Sequence, residues 1–148
     1  MTGKLEFEWI IVLQLVGAIV LALPTAWNRE RHSRIMGLRT FPLVSLGACA
    51  YVLVGQSFIG PDRPDAMARI MQGLLSGIGF VGGGAILKNS DHVKGTASAA
   101  SIWITGALGA AVAFRLWWLA ALLSLLNFSI VLVMSRVKQD VSTAEADE

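Results

Sequence analysis

No acidic residue falls within any long apolar run of this chain, and Asp, Glu, Lys and Arg together make up only 15% of its 148 residues. A soluble domain usually carries about 25% charge. All ten carboxylates (Glu6, Glu8, Glu30, Asp62, Asp65, Asp91, Asp140, Glu145, Asp147 and Glu148) lie between or beyond the apolar runs. Pumps and secondary transporters commonly keep acids inside the membrane to bind coupling ions or protons, so this absence weighs against that class. It also removes the oxygen ligands that Mg²⁺ prefers, and His32 and His92 stand alone without ligand spacing. Neither a metal site nor a cofactor site is expected. Cys49 is the single cysteine, which excludes an intrachain disulfide and reads as a small hydrophobe packed among helices. Catalytic pairs are missing too. The serines of the run 97–114 share it with no histidine, lysine or aspartate that would activate them, so no catalytic residue is assigned and an enzyme is not expected. The net charge of +2 is split among short loops with no aromatic-interleaved basic face, which argues against nucleic acid.

What the chain has is apolar length. Hydrophobic residues make up 55% of it and the mean hydropathy is +0.64. Five runs stand out, at 9–27, 41–59, 70–87, 97–114 and 116–134, each of 18 or 19 residues. At 1.5 Å per residue each reaches roughly 27–29 Å, about one hydrocarbon core. The expected fold is an all-α membrane protein with five transmembrane helices. It forms one domain over 1–138, followed by a short acidic cytoplasmic tail at 139–148, of which Thr143–Glu148 is expected to be disordered. The first run is not read as a cleaved signal, because Glu6 and Glu8 outweigh Lys4 before it and no small-x-small cleavage site follows. Pro24 lies near its end, where a kink costs little, and Trp9 and Trp27 mark the interfaces. One side of the bilayer would hold eight basic residues (Arg29, Arg31, Arg34, Arg39, Lys88, Lys94, Arg136 and Lys138) and the other four (Lys4, Arg63, Arg69 and Arg115). That asymmetry places the N-terminus outside and the C-terminus in the cytoplasm.

Glycine is concentrated in one place. Six of the twelve residues from Gly73 to Gly84 are glycine. In water such a segment makes a poor helix, whereas in a bilayer the backbone must stay hydrogen-bonded and glycine admits a neighbouring helix. Gly73 with Gly77, and Gly79 with Gly83, give small-xxx-small spacing, with Gly82 and Gly84 beside them. Ala97, Ser101, Thr105 and Gly109 form a matching stripe on the fourth run, with Trp103 on its opposite face. A tight pair of helices three and four is therefore expected at the centre of the bundle. The Leu-rich fifth run, whose polar residues are Ser124, Asn127 and Ser129, reads as a lipid-facing wall.

Other motifs carry less. Gly77-Ile78-Gly79-Phe80-Val81-Gly82 matches the letters of a dinucleotide fingerprint but lacks the strand and helix around it, so packing is the better reading. Gly84–Lys88 lacks the Gly-Lys-Ser/Thr of a phosphate loop. The segment Asn28–Arg34 is a positive-inside anchor for anionic lipid headgroups, or else Arg29, Glu30 and Arg39 form an ion-paired cluster at the cytoplasmic mouth. Asp65 and Arg69, four apart, read as a surface ion pair at the outer end, with a polar gate as the alternative. Ser98, Ser101 and Thr105 are expected to hydrogen-bond across a helix interface or back to their own backbone.

Three ordered motifs give the chain a resemblance. Arg29-Glu30 with Gly37-Leu38-Arg39-Thr40 and Leu43–Ala48 comes first, followed by Arg69-Ile70 with Gly77–Leu87, then Val93–Trp103. In these it resembles the MgtC/SapB family of bacterial inner-membrane proteins over about 21–114. The family usually reads Glu-Arg-Glu where this chain has Asn28-Arg29-Glu30. Longer relatives add a C-terminal cytoplasmic ACT-like domain, so the resemblance implies a short form. It further implies a multi-pass inner-membrane protein linked to growth at low magnesium and, in pathogens, to virulence. Two roles are compatible with that resemblance. The first is a non-enzymatic regulator of ion or energy homeostasis that contacts membrane partners such as ATP synthase or a cation ATPase. The second is a transporter or channel for Mg²⁺ or another cation. A second copy of the chain is a further candidate for the packing surface.

Overall fold

The computed structural model describes the backbone of residues 2–32, 36–59, 62–89 and 92–144, and side chains within 8–32, 36–59, 62–86 and 93–134. The side chains of Lys4, Arg34, Lys88, Arg136 and Lys138, which enter the charge asymmetry, lie outside the described residues, as do the side chain of His92, Asp91 and the tail residues 145–148. Five helices follow one another: α1 (Thr2–His32), α2 (Thr40–Phe58), α3 (Pro64–Gly84), α4 (Thr96–Ala113) and α5 (Trp117–Ala144). Four of them contain segments long and apolar enough to cross a membrane, namely Glu8–His32, Thr40–Phe58, Thr96–Ala113 and Trp117–Met134. The third expected span is the exception, because its glycines, Gln72 and Ser76 dilute its apolar content.

Local chemistry sets the ends. Pro64 opens α3 at the position where a missing N–H costs nothing, and Asp65 in the first turn faces the positive end of the helix dipole. At the other end α3 stops at Gly84, short of the expected Leu87. Leu87–Asn89 (β1) and His92–Lys94 (β2) instead pair antiparallel, with Leu87 opposite Lys94, so the all-α expectation gains a small ribbon. Gly95 closes it with φ +91, and a Cβ there would run into the carbonyl of Ala85. Helices α4 and α5 are joined by a Schellman motif: Leu116 N–H donates to Ala111 O and Arg115 N–H to Val112 O, each at 2.9 Å. Arg115 takes the left-handed position, φ 60, where glycine is usual. Helix α5 continues to Ala144, ten residues beyond the expected 134 and into what was read as a disordered tail.

Contacts fix the directions. Ser45 reaches Ala18, a Cβ on Gly55 would meet Ile70, one on Gly106 would meet Ile78, and Asn127 reaches Ser101. Successive helices therefore run antiparallel. One end of the bundle gathers the end of α1, the start of α2, the end of α3, the ribbon and the start of α4.

The centre is α4, and its principal neighbour is α2 rather than α3. Gly109 makes this possible, since any Cβ there would collide with the Ser45 carbonyl of α2 and touch Ala48. Helix α3 lies at the periphery against α2 and α4, with only Ile78 and Gly82 buried. One apolar core holds Ala18, Cys49, Val52 and Leu108, and a second at the ribbon end holds Phe41, Ile78, Ala85 and Ile102. Leu125, Leu126, Ile130 and Val133 of α5 face outward, as a lipid-facing wall requires. Its Ser124 and Asn127, however, point inward and are buried.

Candidate functional site

The glycine-rich helix does not use most of its glycines inside the chain. A Cβ added at Gly73, Gly77, Gly79, Gly83 or Gly84 would meet nothing within 4 Å. Only Gly82 is in close packing, where a Cβ would lie 3.3 Å from the carbonyl oxygen of Ala99. Of the clustered glycines, only Gly82 enters the α3–α4 contact expected at the bundle centre, against Ala99, while Ile78 fills the notch at Gly106. Small-xxx-small spacing reports that a helix can be approached closely, and says nothing about which helix approaches it. Opposite Ile78, at helical spacing, α3 presents Gln72, Gly73, Ser76, Phe80, Gly83 and Gly84, all exposed, with Phe80 86% exposed. Gln72 and Ser76 are polar groups on a face that none of the other described residues covers. Ser76 Oγ donates only to the Gln72 carbonyl one turn back.

The stripe on α4 behaves differently. Ser101, Thr105 and Gly109 are buried while Ala97 is exposed, and Trp103 is exposed on the other side. Thr105 Oγ1 donates to Ser101 O at 2.8 Å, the back-bond to its own helix that was one of the two expectations. Around them lies a set of interhelical hydrogen bonds that sequence reasoning passed over. Gln14 Nε2 donates to Val112 O (3.0 Å) and Ala113 O (2.8 Å), satisfying carbonyls at the C-terminal end of α4. Ser45 Oγ donates to Ala18 O at 2.8 Å and Ser124 Oγ to Leu21 O at 2.6 Å. Asn127 Nδ2 adds a longer contact, 3.4 Å, to Ser101 O. Gln14 is the only amide within the first apolar run, and that isolation was the available signal.

At the ribbon end the charged segment is tied in part to backbone groups. Glu30 Oε2 accepts the Leu38 N–H at 2.9 Å, and a Cβ on Gly37 would strike that carboxylate. This explains Gly37 beside Glu30. Arg31 stacks its guanidinium 4.6 Å from the ring centre of Trp27, and His32 Nδ1 lies 2.9 Å from Asn28 O. Arg29 is half-buried and Arg39 exposed at the start of α2. Two polar atoms at this end are buried without a hydrogen-bond partner among the described residues: Asn28 Oδ1 and Ser98 Oγ.

Asp65 and Arg69 are both exposed at the opposite end and line a shallow polar cleft with Asp62 and Arg63. No ion pair joins them among the described residues. Nor do those residues include a group of three or more His, Cys, Asp or Glu able to hold a metal ion. A long apolar groove of about 610 Å³ separates α2 from the glycine side of α3, with Arg39 at one end and Tyr51 toward the other.

The chain is 36% identical over 121 residues to Protein SrpB of Synechococcus elongatus, covering 74% of this chain and 64% of that protein. It is 34% identical over 98 residues to Protein MgtC of Salmonella typhimurium, covering 66% of this chain and 41% of the relative. It is 36% identical over 95 residues to Protein MgtC of Brucella abortus, covering 64% and 39%. The chain thus spans less than two thirds of the length of each of these relatives. No solved structure gives a significant match. The MgtC family model matches residues 15–140, a stretch running from the first helix through the glycine-rich α3 into α5, and the chain belongs to the MgtC family of membrane proteins.

Proposed function

We propose that this chain is a non-enzymatic inner-membrane regulator of ion or energy homeostasis, linked to growth at low magnesium. It acts by receiving transmembrane helices of a partner on the outward face of α3. One observation carries the reading. Gly79, Gly83 and Gly84, with Gln72 and Ser76, lie on an exposed surface of α3 that none of the described residues covers. Lipid tails cannot hydrogen-bond an amide or a hydroxyl, whereas a neighbouring helix can, and glycine lets it approach closely. The partner class, an energy- or ion-handling membrane complex such as ATP synthase or a cation ATPase, rests on the family resemblance.

This reading takes α3 as the fifth span. Its 21 residues reach about 31 Å, enough to cross, and α2 and α4 run in the same direction, so the segment between them returns across the bilayer. With basic residues concentrated at the ribbon end, the N-terminus is outside and the C-terminus cytoplasmic.

The test is substitution of Gly79 or Gly83 by leucine in the full chain. Partner co-purification and growth under magnesium limitation are expected to fall together while the protein still accumulates in the membrane. If both stay intact, the reading is wrong. Purified protein in liposomes is expected to give no Mg²⁺ flux; flux without partners would instead favour the transporter reading.

A further inference from the structure

The groove between α2 and α3 adjoins the outward face of α3 at Gly73 and has its own chemistry. Its walls are the apolar side chains of Leu43, Val44, Leu74 and Val81, and its width comes from Gly47 and Gly77, where a Cβ would meet nothing. From Arg39 to Tyr51 it follows α2 for about 18 Å, close to half of a hydrocarbon core of about 30 Å. A helix crossing the bilayer would need a seat along the whole core. A groove one leaflet deep instead matches a single lipid chain entering from one interface. Its volume, about 610 Å³, lies in the range of small-molecule sites.

The polar end of the groove supplies the headgroup chemistry. Arg39 lines it, exposed, with no ion pair among the described residues, and Thr40 places a hydroxyl beside it. The first N–H groups of α2, Thr40 and Phe41, are already donated to Gly37 O and Pro42 follows, so the anion contact at this end falls to the Arg39 and Thr40 side chains. Arg29 and Arg31 lie at this end of the bundle against Glu30, leaving the rim basic. Basic pockets between membrane helices at this depth select anionic headgroups.

We propose that the α2–α3 groove binds one anionic phospholipid, with an acyl chain against Gly47 and Gly77 and the phosphate on Arg39. This assignment does not depend on the partner-helix reading.

The full chain, purified and exchanged into vesicles of phosphatidylglycerol or phosphatidylcholine, is examined by native mass spectrometry and thermal unfolding. The wild type is expected to retain one phosphatidylglycerol per chain and to unfold at a higher temperature in phosphatidylglycerol. Arg39→Gln is expected to cut the preference for phosphatidylglycerol about fivefold, the effect of one basic residue at the membrane surface. Gly47→Leu, which fills open space, is expected to lose retained lipid of either headgroup. Gly83→Leu, on the outward face, is expected to retain it, which separates failure of this proposal from failure of the partner reading. The proposal is overturned if the wild type retains no lipid, if neither Arg39→Gln nor Gly47→Leu alters retention, or if inorganic phosphate alone gives the same stabilisation.

Discussion

At the residue scale, side chains that break a local rule show where the fold holds itself together. Arg115 occupies a left-handed C′ position in which a side chain costs about 1–2 kcal/mol. Arg115→Gly is therefore expected to raise stability by about 1 kcal/mol, read as a higher unfolding temperature in detergent, since the gain is partly offset by a freer unfolded chain. Gln14 breaks the apolar pattern of α1 and recovers the cost through two carbonyls at the end of α4. Gln14→Leu should lose about 1–2 kcal/mol, because the buried Ala113 carbonyl would lose its donor while Val112 O keeps the Arg115 N–H. An unchanged unfolding temperature would mean that the two bonds contribute nothing. These residues also show what was legible. Thr105 acts one turn away on Ser101, so local reasoning reaches it, whereas Gly37 and Gly95 act on Glu30 and Ala85 across a turn of the chain. Gln14, Ser45 and Ser124 act across 27 to 103 residues, and nothing in their own segments names the partner.

At the element scale, apolar length was enough to place four of the helices, since a run of about 18 residues without charge has few other uses. It could not decide which helices touch. The α4 stripe and the α3 glycines look equally suited to close approach, yet α4 spends Gly109 on α2 while most of α3 stays uncovered. The ribbon was missed because its two strands of three residues have too short a pattern to separate from a loop. Substitution distinguishes the two kinds of glycine. Gly109→Leu drives a side chain into the α2 backbone and is expected to cost at least about 3 kcal/mol. Gly79→Leu meets nothing in the chain and should leave the unfolding temperature of the purified protein within about a degree of wild type. Similar losses for both would contradict the arrangement of α3 at the periphery.

At the scale of the whole molecule, the account divides the surface of an MgtC-family membrane protein into three parts. In the proposed reading the Leu-rich face of α5 would meet lipid, the α2–α3 groove would take a single lipid, and the outward face of α3 would receive another protein. The last is the central claim, and it is open to direct chemistry. A photo-crosslinking residue is placed at Phe80, on the outward face of α3, and in a second variant at Leu125, on the outer face of α5. Both are irradiated in membranes from magnesium-limited cells. Protein adducts from position 80 and lipid adducts alone from position 125 are the predicted result. Lipid adducts alone from both positions would contradict it.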